Sequence, residues 1–314
     1  MSSIATRPLG KTGIDVSSLS LGCAGLGGVY GDTDEQSSVG VALRAFELGI
    51  TTFDTSPYYG KTRSETVLGK AIAQLPRDEI VVMTKCGRYG PDEFDFSPSR
   101  IEQSCEESLR RLQTDHVDVL FLHDVEFGDL SRILDESVRA LQKLKAQGKA
   151  LAIGITGLPL AIFRRAIAQG TPIDAILSYC HATLFDDSLE ELMPECESKG
   201  IGVVNGSPTS MGLLSSRGPQ AWHPADAETK RVCAETAAAF ASDGSELAEL
   251  AFTHSARVSG PATTLCGATN VRELEGSVHA ALASRDAALV LRAQQRLAPI
   301  RGRTWIQGRP ENNR

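Results

Sequence analysis

Short apolar, β-branched runs alternate with longer segments of helical period along the whole chain. The strand candidates are Ser18 to Leu21, Ile50 to Asp54, Ile80 to Lys85, Val117 to His123, Leu151 to Ile155, Ile173 to Ser178, Ile201 to Val204 and Thr263 to Cys266. Between them lie helices with explicit start and stop signals. Ser97-Pro98 is a capping serine followed by a first-turn proline, and Ile101, Cys105, Leu109 and Leu112 then share one helix face. A second pattern carries Leu130, Ile133, Leu134, Val138, Leu141 and Leu144 and stops at Gly148, where a helix end calls for a left-handed residue. Alternating strand and helix predict a parallel sheet covered by helices, and eight repeats favour closure into a (β/α)8 TIM barrel over an open sheet. The preceding RPLGKTGIDV predicts a short N-terminal β-hairpin. A length of 314 residues suits one such barrel, and without a linker or low-complexity stretch the expectation is a single domain, 1–314.

In barrels of this kind the working residues sit at the C-terminal ends of the strands. Here those ends offer Asp54, then Tyr58 and Tyr59 in the following loop, Lys85 after the third strand and His123 after the fourth. A free tyrosine, with a pKa of about 10, is a poor base at neutral pH. A nearby lysine favours the phenolate, a carboxylate holds the lysine, and a histidine hydrogen-bonds the reacting oxygen. Tyr59, Lys85, Asp54 and His123 supply one of each. Such a set moves a proton on or off an alcohol or carbonyl oxygen but holds no hydride, so it implies a redox cofactor. Taken singly, such a lysine is usually a solvated surface residue, such a histidine a structural one, and Tyr58-Tyr59 simple packing. The agreement of consecutive strand ends is what argues for chemistry.

Competing chemistries find less support. His123, Asp124 and Glu126 in HDVE lack common zinc spacing, and Asp124 is expected to point away from His123 if the strand continues, so no metal is expected. A glycosidase needs two carboxylates about 5 to 9.5 Å apart, and Asp54 is the obvious one at these strand ends. The glycine-rich stretch from Leu21 to Gly31 lacks the GxGxxG fingerprint. Barrel phosphate sites commonly lie after strands seven and eight. Those loops are Ser207 to Leu214 and Gly267 to Leu274, the second leading into a helix N-terminus suited to an anion.

Composition narrows the picture further. Hydrophobic residues make up 41% of the chain, and no run reaches the 18 or so that a membrane helix needs. The net charge of −7 is interspersed, which gives nucleic acid and anionic membrane no footing. The leader MSSIATRPLG has no basic or apolar signal region, and the expected compartment is cytoplasmic. Seven cysteines with no CxxC pair read as reduced thiols, of which Cys86 and Cys180 lie beside the motifs, where oxidation would inhibit.

FDTSPYYG (Phe53 to Gly60), MTKCG (Met83 to Gly87), LFLHD (Leu120 to Asp124) and GITG (Gly154 to Gly157) resemble the ordered signatures of the aldo-keto reductases. The resemblance runs from about Pro8 to the last strand. It implies a catalytic tetrad of Asp54, Tyr59, Lys85 and His123. It also implies a cofactor site drawn from Gly25, Leu26, Asp54, Thr156, Ser178, Ser207, Pro208, Gly212, Leu213, Gly267 and Thr269, with substrate touching Tyr59, His123 and Cys180. Within the family, TKCGRY, HDVEFG, GITGLPL, ILSYCH, MGLL and WHPA are similar to the aldose 1-dehydrogenase group. That likeness implies NAD-dependent oxidation of L-galactose at C1 to the 1,4-lactone, as in ascorbate biosynthesis. The alternatives are a broader dehydrogenase for L-fucose or D-arabinose, an NADPH-dependent carbonyl reductase, and a nucleotide-binding regulatory subunit.

Several positions depart from the family pattern. Its Ser-Asn pair is Thr156-Gly157, its Gln is Ser178, and its nicotinamide-stacking aromatic is Gly206. The Lys and Arg that grip a 2′-phosphate become Gly267 and Glu273, beside Arg272, which implies NAD rather than NADP. A Glu-Asn pair near the adenine becomes Gly276-Ser277. The expected partner is a small-molecule aldose, bound by a monomer or weak homodimer. Tyr89, Phe127, His181 and Trp222 are further pocket candidates, with packing as the bland reading of each. The polar tail after Trp305 is expected either to be disordered or to cover the site.

Overall fold

A computed structural model of the chain describes residues 4–284 and 286–314. The hairpin joins β1 (Thr6–Pro8) to β2 (Asp15–Ser17) in antiparallel register. Eight parallel strands follow: β3 (Leu19–Gly22), β4 (Thr52–Asp54), β5 (Val81–Cys86), β6 (Val117–Leu122), β7 (Ala150–Gly157), β8 (Ala175–Tyr179), β9 (Gly202–Gly206) and β10 (Thr263–Gly267). They pair in chain order, and β10 closes on β3 to complete the (β/α)8 barrel. Each expected strand is present, its ends displaced by a residue or two.

Strand alternation divides the side chains into two layers. Val81, Met83, Val119, Phe121, Ala152, Leu177, Val204 and Leu265 fill the barrel interior. Val82, Leu120, Leu122, Ile153, Ile155, Ile176 and Val203 face the helices. The hairpin closes the N-terminal end of the barrel. Leu9 and Val16 join the interior cluster, and a Cβ on Gly202 would stand 2.6 Å from Leu9 Cδ1.

The helix Pro98–Leu112 starts as its sequence predicts, with Ser97 Oγ accepting the Arg100 N–H at 3.4 Å. Its Ile101, Cys105, Leu109 and Leu112 are buried. The next helical segment differs from the uniform helix its period suggests. Leu130–Arg132 is α-helical, Ile133–Ser137 is a π-turn, and Val138–Ala146 resumes the α-helix. Gly148 ends it at φ 73°. Leu184, Phe185, Leu213 and Leu214 form a second cluster with the helices Ala227–Ser242, Leu247–Ser255 and Ala287–Leu297. That cluster supports the loop after β9 from beneath. Among the described residues no helix is long and apolar enough to cross a membrane.

The C-terminal tail packs against the barrel. Asn312 Nδ2 donates to the Glu126 and Gly128 carbonyls at 2.9 and 3.0 Å, and the Arg309 N–H donates to Glu126 O at 2.8 Å. The tail therefore docks on the loop after β6, beside the barrel mouth.

Candidate active site

Continuing the inward rows by one residue pair gives the layer at the C-terminal mouth. It consists of Gly22, Asp54, Lys85, His123, Thr156, Tyr179, Gly206 and Gly267. Five neighbouring positions, on β4 to β8, carry polar side chains. The three that complete the ring, on β9, β10 and β3, are glycine. The mouth is thus half polar side chains and half glycine, with a hollow at Gly267 and closer packing at Gly206, where a Cβ would stand 3.1 Å from Tyr179 Cβ.

Lys85 Nζ donates to Asp54 Oδ1 and Oδ2 at 2.8 and 2.7 Å and to the Thr55 carbonyl at 2.8 Å. All three ammonium protons are taken, and the charge lies over the Tyr59 ring, 4.7 Å from its centroid. The loop carrying Tyr59 is fixed by a close glycine contact. A Cβ on Gly60 (φ 62°) would meet Gly27 O at 2.0 Å, and one on Gly27 would meet Tyr59 O at 2.8 Å. Only glycines let these two loops approach so closely. Burial, then the Asp54 and Asp124 carboxylates, lift the Tyr59 phenol well above its ordinary value, with Arg88 opposing. The expected acidification by Lys85 is not the net result, because burial, followed by the Asp54 and Asp124 carboxylates, outweighs it. Tyr59 is a phenol at neutral pH.

The His123 and Tyr59 rings meet edge-on, 5.7 Å between centroids and 89° between planes. Ser56 Oγ lies 3.0 Å from His123 Nδ1 and accepts the Tyr58 N–H at 3.1 Å. Burial holds the imidazole down at about 3, so His123 is neutral and works as a hydrogen-bonding group. Asp124 does not point away as an extended strand would direct it. β6 ends at Leu122, Asp124 turns left-handed at φ 53°, and its Oδ2 comes to 3.7 Å from His123 Nε2.

Several residues of this constellation escaped the sequence reading. Arg88 pairs with Asp124 and stacks on Tyr58, 4.0 Å from the ring centroid. Burial pushes Asp124 up, and His123 and Arg88 more than offset it, leaving the carboxyl below its ordinary value. Tyr179 Oη lies 3.3 Å from Asp124 Oδ1. Glu126 is buried, accepts the Leu158 N–H at 3.1 Å, and is pushed up to about 8 by burial and then by Asp124. The motifs TKCGRY, HDVEFG and ILSYCH contain Arg88, Glu126 and Tyr179, but nothing in them shows that the three meet around Asp124.

The hollow suits a nicotinamide cofactor. A Cβ on Gly267 would meet nothing within 4 Å. The Ser178 hydroxyl, at the end of β8, is buried without a hydrogen-bond partner and is available to an amide. Around this side lie Gly25 and Leu26 in the turn Gly25–Gly27, Thr156 at the end of β7, and Ser207, Pro208 and Gly212 after β9. Ser207, Ser210 and Met211 have left-handed backbones (φ 53°, 51° and 52°), which turns the loop sharply. The structure does not bring every expected contact to the surface. Leu213 is buried in its own cluster, and both Asp54 oxygens belong to Lys85. Thr269 is engaged as well, its N–H and Oγ1 donating to Glu273 Oε2 at 2.9 and 2.8 Å. The anion position at that helix start is filled by the chain's own carboxylate.

Pocket candidates also separate. His181 is buried between Asp186 (2.8 Å) and the Leu158 carbonyl (2.7 Å), and Tyr89 lies under Arg100. Phe127 stacks on Phe94 at 4.3 Å. Trp222, 51% exposed, stands at the rim 6.1 Å from Tyr30. Cys180 is buried against Ser207 and Ser210, and burial pushes its thiol up to about 12 and raises Cys86 likewise. Burial and a raised pKa disfavour the thiolate at both positions.

Residues 18–290 match the family described as the Aldo/keto reductase family. The chain is 43% identical to L-galactose dehydrogenase of Arabidopsis thaliana over 320 residues, which span 99% of this chain and 100% of that protein. It is 35% identical over 280 residues to D-arabinose 1-dehydrogenase of Saccharomyces cerevisiae, covering 83% and 81% of the two chains. The solved structure of an aldo-keto reductase from Bacillus halodurans, in its holo form, is similar with a TM-score of 0.76. There the identity is 26%, over 99% of this chain and 100% of that one.

Proposed function

The chain belongs to the aldo/keto reductase family, and from that premise we propose that it oxidises an aldose, L-galactose foremost, at its anomeric carbon with NAD. The observation that carries the reading is the divided mouth. Tyr59, Lys85, Asp54 and His123 stand together beside the glycines that end β9, β10 and β3, of which Gly267 borders open space. The full-length likeness to an L-galactose dehydrogenase supports the substrate, and the Glu273 carboxylate at Thr269 supports NAD. A 2′-phosphate approaching that carboxylate meets repulsion.

A nicotinamide held in the hollow supplies the hydride acceptor. Tyr59 takes the proton of the C1 hydroxyl, and the neutral His123 orients that hydroxyl. Lys85, fixed by Asp54, places a positive charge over the Tyr59 ring and favours the phenolate that must be present before the proton is taken. Loss of the proton from the C1 hydroxyl and of the hydride from C1 converts the hemiacetal to the lactone.

The reverse chemistry, reduction of a small carbonyl, has one observation in its favour. Tyr59 is a phenol at neutral pH, ready to donate a proton to a carbonyl oxygen. NADH formation with L-galactose and with L-fucose, at equal concentration and with NADP as control, separates the readings. These sugars differ only in the C6 hydroxyl, and a site built to bond a hydroxyl rejects its absence by as much as about 10⁴ to 10⁵. Turnover of L-galactose alone supports the proposal, and comparable turnover of L-fucose makes the enzyme a broader aldose 1-dehydrogenase. Inertness toward both sugars overturns it in favour of the reductase.

A further inference from the structure

We propose that Gln307 of the C-terminal tail and Tyr179 of β8 are positioning residues for the reacting end of the site, holding Asp124 against His123. The inference rests on the reading of Tyr59 and His123 as the groups that meet the substrate oxygen.

Hydrogen-bond accounting gives the direction of each contact. Gln307 Nε2 donates to Tyr179 Oη and, at 3.0 Å, to Glu126 Oε1. Tyr179 has one proton to give, and two oxygens lie in reach: Asp124 Oδ1 at 3.3 Å and Glu126 Oε1 at 3.5 Å. Glu126 Oε1 already receives the Leu158 N–H and the Gln307 amide. Asp124 is nearer and is the ionised partner, so the Tyr179 proton goes to it. Burial, then Asp124 and Glu126, raise the Tyr179 phenol well above its ordinary value, which keeps that proton in place.

Asp124 is then held from both sides. Tyr179 takes Oδ1, with Thr156 Oγ1 at 3.5 Å, and Arg88 takes Oδ2, the oxygen 3.7 Å from His123 Nε2. These contacts hold a non-glycine residue in a left-handed backbone, a conformation that persists only where the surroundings over-determine it. Ser56 fixes His123 from Nδ1, and Asp124 defines the other edge of the ring. A displaced Asp124 releases the imidazole that orients the reacting hydroxyl, and small misplacements at a reacting centre cost rate.

The tail's docking does not depend on the Gln307 side chain. Asn312 and Arg309 bond the Glu126 and Gly128 carbonyls, and Asn313 bonds the backbone of Gln307 and Arg309. Gln307→Ala should therefore leave the tail in place, removing its reach into the mouth together with the bond that Gln307 Oε1 accepts from Trp305 Nε1 at 3.3 Å.

The test is steady-state kinetics of Gln307→Ala, Tyr179→Phe and the double variant, with NAD affinity followed by quenching of protein fluorescence. Each single change is expected to lower kcat/KM for the aldose by about tenfold, the scale of one hydrogen bond to a charged group. NAD affinity is expected to stay at its wild-type value, with Tm lowered by only a few degrees, the scale of one buried hydrogen bond. The double variant should be no worse than the poorer single one, because both act through one chain of bonds. Wild-type kcat/KM in either single variant overturns the inference, as do losses that multiply in the double variant or that follow weakened NAD binding. A wild-type protein inert toward aldoses is a failure of the functional reading instead. The same three variants then carry the same expectation in carbonyl reduction.

Discussion

Lys85 Nζ sits 2.8 and 2.7 Å from the two carboxylate oxygens of Asp54, with both side chains 1% exposed. With the third proton on Thr55 O, the lysine has none left for the Tyr59 hydroxyl and acts on it through charge alone. The pair is a fixed electrostatic element, assembled before any ligand arrives.

Breaking that pair should unfold the barrel more readily than removing it. Lys85→Met leaves the buried Asp54 without its counter-ion, an arrangement that typically costs about 3–5 kcal/mol. Adding Asp54→Asn to Lys85→Met removes the stranded charge and should recover much of the loss. Urea unfolding of wild type, single and double variants measures both. A double variant less stable than Lys85→Met would contradict the argument.

Tyr59 should impose a pH dependence on sugar oxidation that carbonyl reduction does not share. Its phenol is raised well above the ordinary tyrosine value, so the phenolate is a small fraction at neutral pH and grows about tenfold per pH unit. Sugar oxidation needs the phenolate, so its kcat/KM should rise with pH and show no plateau at mildly alkaline pH. Carbonyl reduction needs the phenol and should stay flat over the same range. Tyr59→Phe should cut turnover by about 10² to 10⁴ and leave NAD affinity intact. A flat pH profile for oxidation would mean that another base takes the proton.

The glycine hollow can be filled without disturbing the barrel. Gly267 has no positive φ, and a Cβ there meets nothing within 4 Å, so Gly267→Val should fold normally. Its branched side chain would occupy space assigned to the cofactor. NAD affinity should fall at least tenfold, the scale of about 1.4 kcal/mol, with Tm unchanged. Unchanged affinity would place the cofactor elsewhere in the mouth.

Much of this site is legible in the sequence because a barrel gives strand ends a common address. Lys85 and His123 are 38 positions apart by their numbers, yet each ends a β-branched run, and the topology brings such ends together. The contacts that escape notice have no local pattern. Gln307 and Glu126 meet across 181 residues, and neither lies at a strand end. Asp124 was misdirected because its left-handed turn is made without a glycine, which is the usual signal. The π-turn at Ile133–Ser137 is equally silent, since the apolar spacing of Leu130 to Leu144 suits an unbroken helix. Glu273 was recognisable as a lost cation. Its bond to Thr269 follows from Asn270 capping the helix three residues earlier, a spacing that places an acidic side chain near the helix start.

Reversing that carboxylate should change cofactor choice. Glu273→Lys frees the Thr269 N–H and Oγ1 and puts a cation where the carboxylate now stands, facing Arg217. NADP should gain on NAD by tenfold or more in kcat/KM, since a charge-assisted contact to phosphate is worth about 1.5–3 kcal/mol. Paired kinetics with the two cofactors decide it. An unchanged ratio would put the 2′ position of the ribose away from Glu273.

Glu126 should make the protein less stable as pH rises. Its carboxyl is held up to about 8 in the folded protein by burial and by Asp124, against 4.5 ordinarily. Between those values the folded state keeps a proton that the unfolded chain has lost. The stabilisation is fully present below the ordinary value and disappears as pH rises through the folded one. For a single proton the slope is about −1.4 kcal/mol per pH unit. Glu126→Gln keeps an oxygen acceptor for the Leu158 N–H and the Gln307 amide but cannot ionise. Denaturant unfolding of both proteins at about pH 5 to 9 should show wild type losing stability relative to Glu126→Gln across that window. Parallel curves would mean that Glu126 is ionised in the fold and that its unpartnered Oε2 is solvated or paired in solution.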